Sequence, residues 1–271
     1  MAINLKMPIN KDILSIPGIK LAVASAGLKE KDHKDIMLIV LDNGSIVSGT
    51  FTQNKFCAAP VIVSKNHLKT TGNIKALLVN TGSANAGNGS KGIEDAETIC
   101  KFLASELNID YKKVLPFSTG VIMSPLPVDN IKKSIPNLIR DLKSNNWLNA
   151  SKAIMTTDTI PKAVSKSILI EDQKVNITGI SKGAGMIHPN MATMLAFVGM
   201  DANISLDMLQ KINKEIVDLT FNCISVDGDS STNDSFMLIS SNQSKHSQII
   251  KDDKNYKILK SAIFDIALEL A

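Results

Sequence analysis

KGAGMIHPNMATMLAF, residues 182–197, decides how the rest of the chain is read. Gly183, Gly185 and Pro189 punctuate a turn, and an apolar run follows from Met191. One hydroxyl, Thr193, sits inside that run. Two readings are open. In the first, Thr193 is a buried threonine in a strand that starts near Met191. In the second it is a nucleophile. A threonine hydroxyl is weak unless a base stands beside it, and one solution is to make the threonine an N-terminus, so that its own α-amine is the base. An α-amine titrates at about 7.7–8.0, close to neutral pH. That solution requires a cut between Ala192 and Thr193. The Thr193 hydroxyl would attack the preceding carbonyl, and the ester so formed would hydrolyse. Gly185, Pro189 and Asn190 could form the tight, strained turn such a cut needs.

Outward from this stretch the pattern is mixed. Upstream, 36–41 (IMLIVL) and 45–52 read as strands joined in a hairpin by Asp42-Asn43-Gly44. Residues 74–80 form a strand apolar enough to be buried on both faces. It enters a loop of small residues, 81–92, that lacks either glycine pattern used for phosphate binding. A helix follows, with Ile93, Ala96, Ile99, Leu103 and Leu107 on one face. Residues 114–117 form a strand running into Ser118-Thr119-Gly120. Residues 131–146 are helical in pattern, broken or kinked at Pro136. Residues 165–171 and 174–180 read as a strand pair. Beyond the opening stretch, Ser205 caps a helix, strands 223–226 and 235–240 flank DGDSSTND, and a last helix starts near Asn255. Mixed strands and helices with no repeat or linker argue for an α/β or α+β domain of stacked layers.

Composition narrows the function classes. With 44% hydrophobic and 21% charged residues, the chain is globular in type. The net charge of +4 is spread without a basic stripe, and aromatics are only 4%, so nucleic-acid binding is not expected. No run of 18 apolar residues exists, which argues against a spanning helix. The first residues, MAINLKMPINKD, lack a signal-peptide pattern, so a cytoplasmic location is expected. Cys57, Cys100 and Cys223 have no paired spacing and read as reduced thiols. The four histidines have no ligand spacing, so no metal site is expected.

Three further motifs have two readings each. Ser118-Thr119-Gly120 is either a strand-ending turn or a place where backbone N–H groups form an oxyanion hole. Met155-Thr156-Thr157-Asp158-Thr159 is either a polar-ligand site or a threonine edge with an Asp turn. Asp227 to Asp234 hints at a calcium loop but lacks the EF-hand's bidentate glutamate, which leaves a turn held by Asx hydrogen bonds.

Taken together, the segments are more specific than any one of them. KGAGMIHPNMATML resembles the self-cleavage motif of the ornithine acetyltransferases, the glutamate N-acetyltransferases of arginine biosynthesis, often bifunctional as amino-acid acetyltransferases. FTQNKFCAAPV (51–61), LVNTGSANAG (78–87), PFSTGVIMSPLPVD (116–129), AIMTTDTIPKA (153–163) and FNCISVDGDSSTNDSF (221–236) resemble that family's segments in the same order. The resemblance implies a layered αββα sandwich of self-processing N-terminal-nucleophile type. It implies a cut at Ala192–Thr193, giving an α chain of residues 1–192 and a β chain from Thr193, and an assembly of two α and two β chains. It implies that Thr193 is the nucleophile, that Thr119 and Gly120 form the oxyanion hole, and that Thr156 and Lys182, with Thr193, bind substrate. His188 receives no role. The reaction implied is acetyl transfer from N-acetylornithine to glutamate through an acetyl-threonine. No bound cofactor is implied; acetyl-CoA enters only as a second donor in bifunctional members. Family members continue past residue 271, so residues 193–271 correspond to a shortened β chain without the family's acidic DGEG-type segment. An inactive fragment, half of a split enzyme, another self-processed hydrolase and a binding-only protein are the competing readings.

Overall fold

The computed structural model describes residues 6–29, 33–186 and 194–271. Its strands form two sheets. The first has the order β1-β2-β4-β5, built from β1 (Ile19–Ala24), β2 (Ile36–Leu41), β4 (Ala76–Ser83) and β5 (Val114–Val121). The second has β3 (Ile46–Phe51) at one edge, followed by β9 (Ser235–Ser240), β8 (Leu195–Met200), β7 (Gln173–Lys182) and β6 (Lys162–Ile170). Most neighbours are antiparallel; β4 with β5 and β8 with β9 are parallel. A parallel pair needs a crossover, and helices supply both. They are α2 (Gly89–Leu107) between β4 and β5, and α5 (Leu206–Leu219) between β8 and β9.

The layers follow from which side chains each strand turns inward. Leu21, Met37, Val79 and Phe117 of the first sheet meet Val47, Phe197 and Met237 of the second in one buried core. Phe117 and Phe197 make an edge-to-face pair across it, ring centres 5.2 Å apart. The other face of the first sheet is covered by α2 and by α3 (Val128–Arg140), through Ile99, Leu103, Ile131 and Leu138. The other face of the second is covered by α5 and by α6 (Lys254–Leu270), through Ile212, Ile216, Ile263 and Ile266. Helix, sheet, sheet, helix is the expected αββα sandwich. Because both sheets lie between layers, central strands are buried on both faces, and β2 and β4 read accordingly as continuous apolar runs.

Several local expectations hold. Ser205 Oγ accepts from the Met208 amide at 3.4 Å and starts α5. β6 and β7 form a hairpin, with Ile170 opposite Gln173. Pro136 lies inside α3, which ends at Arg140 rather than 146, and a short helix α4 (Trp147–Ala153) follows.

Others are corrected. Asp42 to Gly44 does turn, with the Ser45 amide donating to Asp42 O at 3.3 Å. The flanking strands, however, enter different sheets: β2 pairs with β1 and β4, while β3 pairs with β9. Residues 223–226 are not a strand. Phe221–Cys223 is a short 3-10 turn and Val226 is 60% exposed, so no ladder partner or buried face is available there. α1 (Ala59–Thr71) was not anticipated, because Val61-Ile62-Val63 is a β-branched run. Pro60 in its first turn and the apolar face set on β5 make it a helix. β1 and α4 were also not anticipated. Among the described residues no helix is long and apolar enough to cross a membrane.

Candidate active site

A cavity of about 640 Å³ opens where one end of each sheet meets the other. Thr119, Gly120, Thr156 and Lys182 all line it, together with Lys29 and Asn233. Four of the residues singled out in the sequence therefore come from three separate segments to one place. Thr193 and Ala192 lie outside the described residues, as do His188, Pro189 and Asn190. Their neighbour Met194 is described and buried.

Gly120 closes β5. It stands opposite Gly82 in the parallel β4–β5 register. Its φ is +136°, and a Cβ there would lie 2.3 Å from the Gly82 carbonyl carbon. Only glycine permits both that dihedral and that approach. Thr119, one residue earlier, is 5% exposed. The strand end is pinned from the loop before β9: Asn233 Nδ2 donates to Ser118 O at 2.8 Å and to Ala84 O at 2.7 Å. Ser118 Oγ in turn donates to Asn80 Oδ1 at 2.6 Å. These bonds hold the glycine-containing edge of the cavity as one rigid piece.

Lys182 ends β7 and is buried. Burial pushes its ammonium pKa down, and the charges of Asp158 and Asp234 push it back up. A buried cation so compensated suits a carboxylate ligand. Asp158 links this strand end to the threonine loop. Its Oδ1 accepts from the Gly183 amide at 2.7 Å and its Oδ2 from the Thr156 amide at 3.1 Å. Lys162 is partly buried, with its pKa pushed down by that burial, and its Nζ donates to Gly183 O at 3.4 Å. Lys29 Nζ donates to Met155 O. The loop bearing Lys29 is gathered around Asp35, whose carboxylate accepts from the amides of Ala26 and Leu28 at 2.6 Å each.

Asp227 and Asp234 come from the loop that precedes β9. The Met186 amide donates to Asp227 Oδ2 at 2.5 Å, and the Met194 amide donates to Asp234 Oδ1 at 2.9 Å. The described residues on either side of 187–193 are thus each tied to a carboxylate of one loop. Burial pushes the Asp234 carboxyl up to about 7, against the Ser231 hydroxyl, the Met194 amide and the Lys182 charge.

Sequence reasoning read Asp158 as part of a polar-ligand loop or an Asp turn, read Asn233 and Asp234 as part of a turn held by Asx hydrogen bonds, and gave Asp35 no role. The first three stand inside quoted motifs, so their positions were visible. What was hidden is that their partners are backbone groups of distant segments.

Comparison with known proteins agrees with this architecture. The sandwich is shared with the L-aminopeptidase D-Ala-esterase/amidase of Ochrobactrum anthropi, a variant of the Ntn-hydrolase fold. Its TM-score is 0.56 at 7% identity, over 99% of this chain and 88% of that one, a likeness of fold alone. The ornithine acetyltransferase of Mycobacterium tuberculosis, solved with ornithine bound, matches with a TM-score of 0.59 at 25% identity, over 70% of this chain and 99% of that one. The fold is therefore the layered sandwich found both in an Ntn-hydrolase variant and in an ornithine acetyltransferase. The ArgJ family model matches residues 20–271, and the chain belongs to the ArgJ family. It is 48% identical to the arginine biosynthesis bifunctional protein ArgJ of Colwellia psychrerythraea, over 100% of this chain and 66% of that protein. The chain thus spans just under two thirds of that relative's length.

Proposed function

We propose that this chain carries the nucleophile half of an acetyltransferase that moves an acetyl group from N-acetylornithine to glutamate. It is cut between Ala192 and Thr193, and the new Thr193 α-amine serves as base. Thr193 Oγ attacks the acetyl carbonyl, and the Thr119 and Gly120 N–H groups hold the oxyanion. Ornithine leaves with the proton taken from the hydroxyl, and an acetyl-threonine ester remains. The glutamate amine then attacks that ester and regenerates Thr193, a ping-pong sequence. Lys182 binds the substrate α-carboxylate, and Thr156 contacts the substrate beside it. Acetyl-CoA is the second donor to test. Two cut chains would assemble into the α2β2 particle.

The convergence of Thr119, Gly120, Thr156 and Lys182 on one cavity carries this reading. The intact mass of the purified chain tests it first. Two species that divide between Ala192 and Thr193 are expected, and acetyl transfer from N-acetylornithine to glutamate is assayed next. Thr193→Ala should stay whole and transfer nothing, while Thr193→Ser keeps part of both activities. Transfer by Thr193→Ala at the wild-type rate would remove Thr193 as nucleophile. A chain that cuts itself and transfers nothing would point to catalysis completed by sequence outside these residues, consistent with the 66% span.

A further inference from the structure

Asp158 has no step in the acetyl transfer set out above, yet it reaches both walls of the substrate site. It stands half-buried in the loop between α4 and β6. Its Oδ2 accepts from the Thr156 amide at 3.1 Å, and its Oδ1 accepts from the Gly183 amide at 2.7 Å across 25 residues of chain.

We propose that Asp158 is the positioning residue of the substrate site, holding Thr156 and the Lys182 end of β7 at a fixed separation and supplying the negative charge that balances Lys182. The inference rests on the reading of Thr156 and Lys182 as substrate contacts.

The hydrogen bonds carry the first part. The Met155–Thr156 peptide is held at both polar groups, its N–H by Asp158 and its C=O by Lys29 Nζ. Gly183, next to Lys182, is held the same way: its N–H donates to Asp158, and its C=O accepts from Lys162 Nζ at 3.4 Å. A carboxylate suits this place because both of its oxygens accept, whereas an asparagine would turn an NH2 group toward one of the two amides.

Charge carries the second part. Lys182 is 5% exposed, and burial favours its neutral form. Asp158 and Asp234 oppose that loss of charge, and Lys29 adds to it. Burial lifts the Asp234 carboxyl to about 7, so Asp234 contributes little charge in acid. Asp158 also supports the ammonium of the partly buried Lys162. One carboxylate therefore serves the geometry of Thr156 and the charge of the cation that would meet a substrate carboxylate.

The first measurement is independent of catalysis. The Lys182 ammonium is titrated by NMR in full chain labelled with carbon-13 at the lysine ε-carbons, its signal assigned by its loss in Lys182→Met. Asp158→Asn should fold, shown by a cooperative melt, and should move the Lys182 midpoint down by roughly one pH unit or more. An unchanged midpoint overturns the proposal whether or not the chain transfers acetyl groups. The second measurement is steady-state kinetics. Asp158→Asn should raise KM for N-acetylornithine and for glutamate roughly 10-fold or more with kcat nearly kept, and kcat/KM should fall away at lower pH than in the wild type. A loss confined to kcat overturns the positioning role. Where Asp158→Asn does not fold, Asp158→Glu decides: it keeps the charge but alters the reach between the two amides, so a wild-type KM overturns the proposal. A wild-type chain that transfers nothing removes the function proposed above and not this inference. Calorimetric binding of N-acetylornithine then replaces KM, and equal affinity in wild type and Asp158→Asn, or no binding to either, overturns the proposal.

Discussion

Gly120 shows how much one missing Cβ can matter. A methyl group there would collide with the Gly82 backbone at 2.3 Å, and backbone cannot move aside as a flexible side-chain tip can. Gly120→Ala should therefore displace the strand end and, on the function proposed above, lower the rate of acetyl transfer by roughly 10²–10³-fold, the usual loss for one oxyanion donor. Steady-state kinetics would check it, with the fall expected in kcat rather than KM. Asp234 makes a second prediction at this scale. Its folded pKa of about 7 lies above the ordinary 3.8, so the fold favours the protonated form. The stability this gives is fully present below about pH 4 and is lost as pH rises through about 7. Asp234→Asn cannot ionise. In a Thr193→Ala background, where both chains stay whole, melting curves should show the wild-type residue losing ground to asparagine between pH 4 and pH 8, by an amount on the order of a few kcal/mol. Thr119, Gly120, Thr156 and Lys182 were legible because each stands in a motif with its own local character. Asp158 stands in the same motif as Thr156, and Asn233 in another quoted segment, yet an aspartate that links Gly183 to Thr156 reads in sequence like one that closes its own turn.

At the scale of elements, legibility followed periodicity. α5 has a capping serine and apolar residues at helical steps, and it formed where expected. Ser205→Ala removes the side-chain acceptor for the Met208 amide and should cost about 1 kcal/mol, a fall of a few degrees in Tm by thermal denaturation. α1 has a β-branched run and little amphipathic contrast, and was missed. It forms because Ser64 and His67 bond across to β5, through Pro116 O at 2.7 Å and Val114 O at 2.7 Å. Those bonds are tertiary, and no window of the helix contains them. The turn at Asp42 to Gly44 is the same lesson in another form. A turn signal specifies a change of direction, and whether the next strand returns to its neighbour or crosses to another sheet depends on what each edge needs to pair with.

For the molecule as a whole, the contact between the two sheets is what makes the site. Trp147, the single tryptophan, is fully buried in the inter-sheet core and fills the space over Gly199 of β8, where a Cβ would lie 2.7 Å from its ring. Trp147→Ala should open a cavity there and destabilise the chain by about 3–5 kcal/mol. Denaturant unfolding followed by circular dichroism would measure it. A weakened contact between sheets should also disturb the cavity, because its walls come from both: Gly120 from β5, Lys182 from β7 and Asn233 from the loop before β9. The sequence by itself determined the residue types, the glycines, the capped helices, the alternation of strand and helix, and the motif around Thr193. Those are local properties, set by propensity, dihedral freedom and periodicity within a few residues. Only the tertiary structure decided which sheet each strand joined, where α1 formed, and that Asp158, Asn233 and Asp234 bind backbone groups far away in the chain. Such partners are chosen by which edges and buried amides remain unsatisfied once the layers pack, and that is a property of the assembled core.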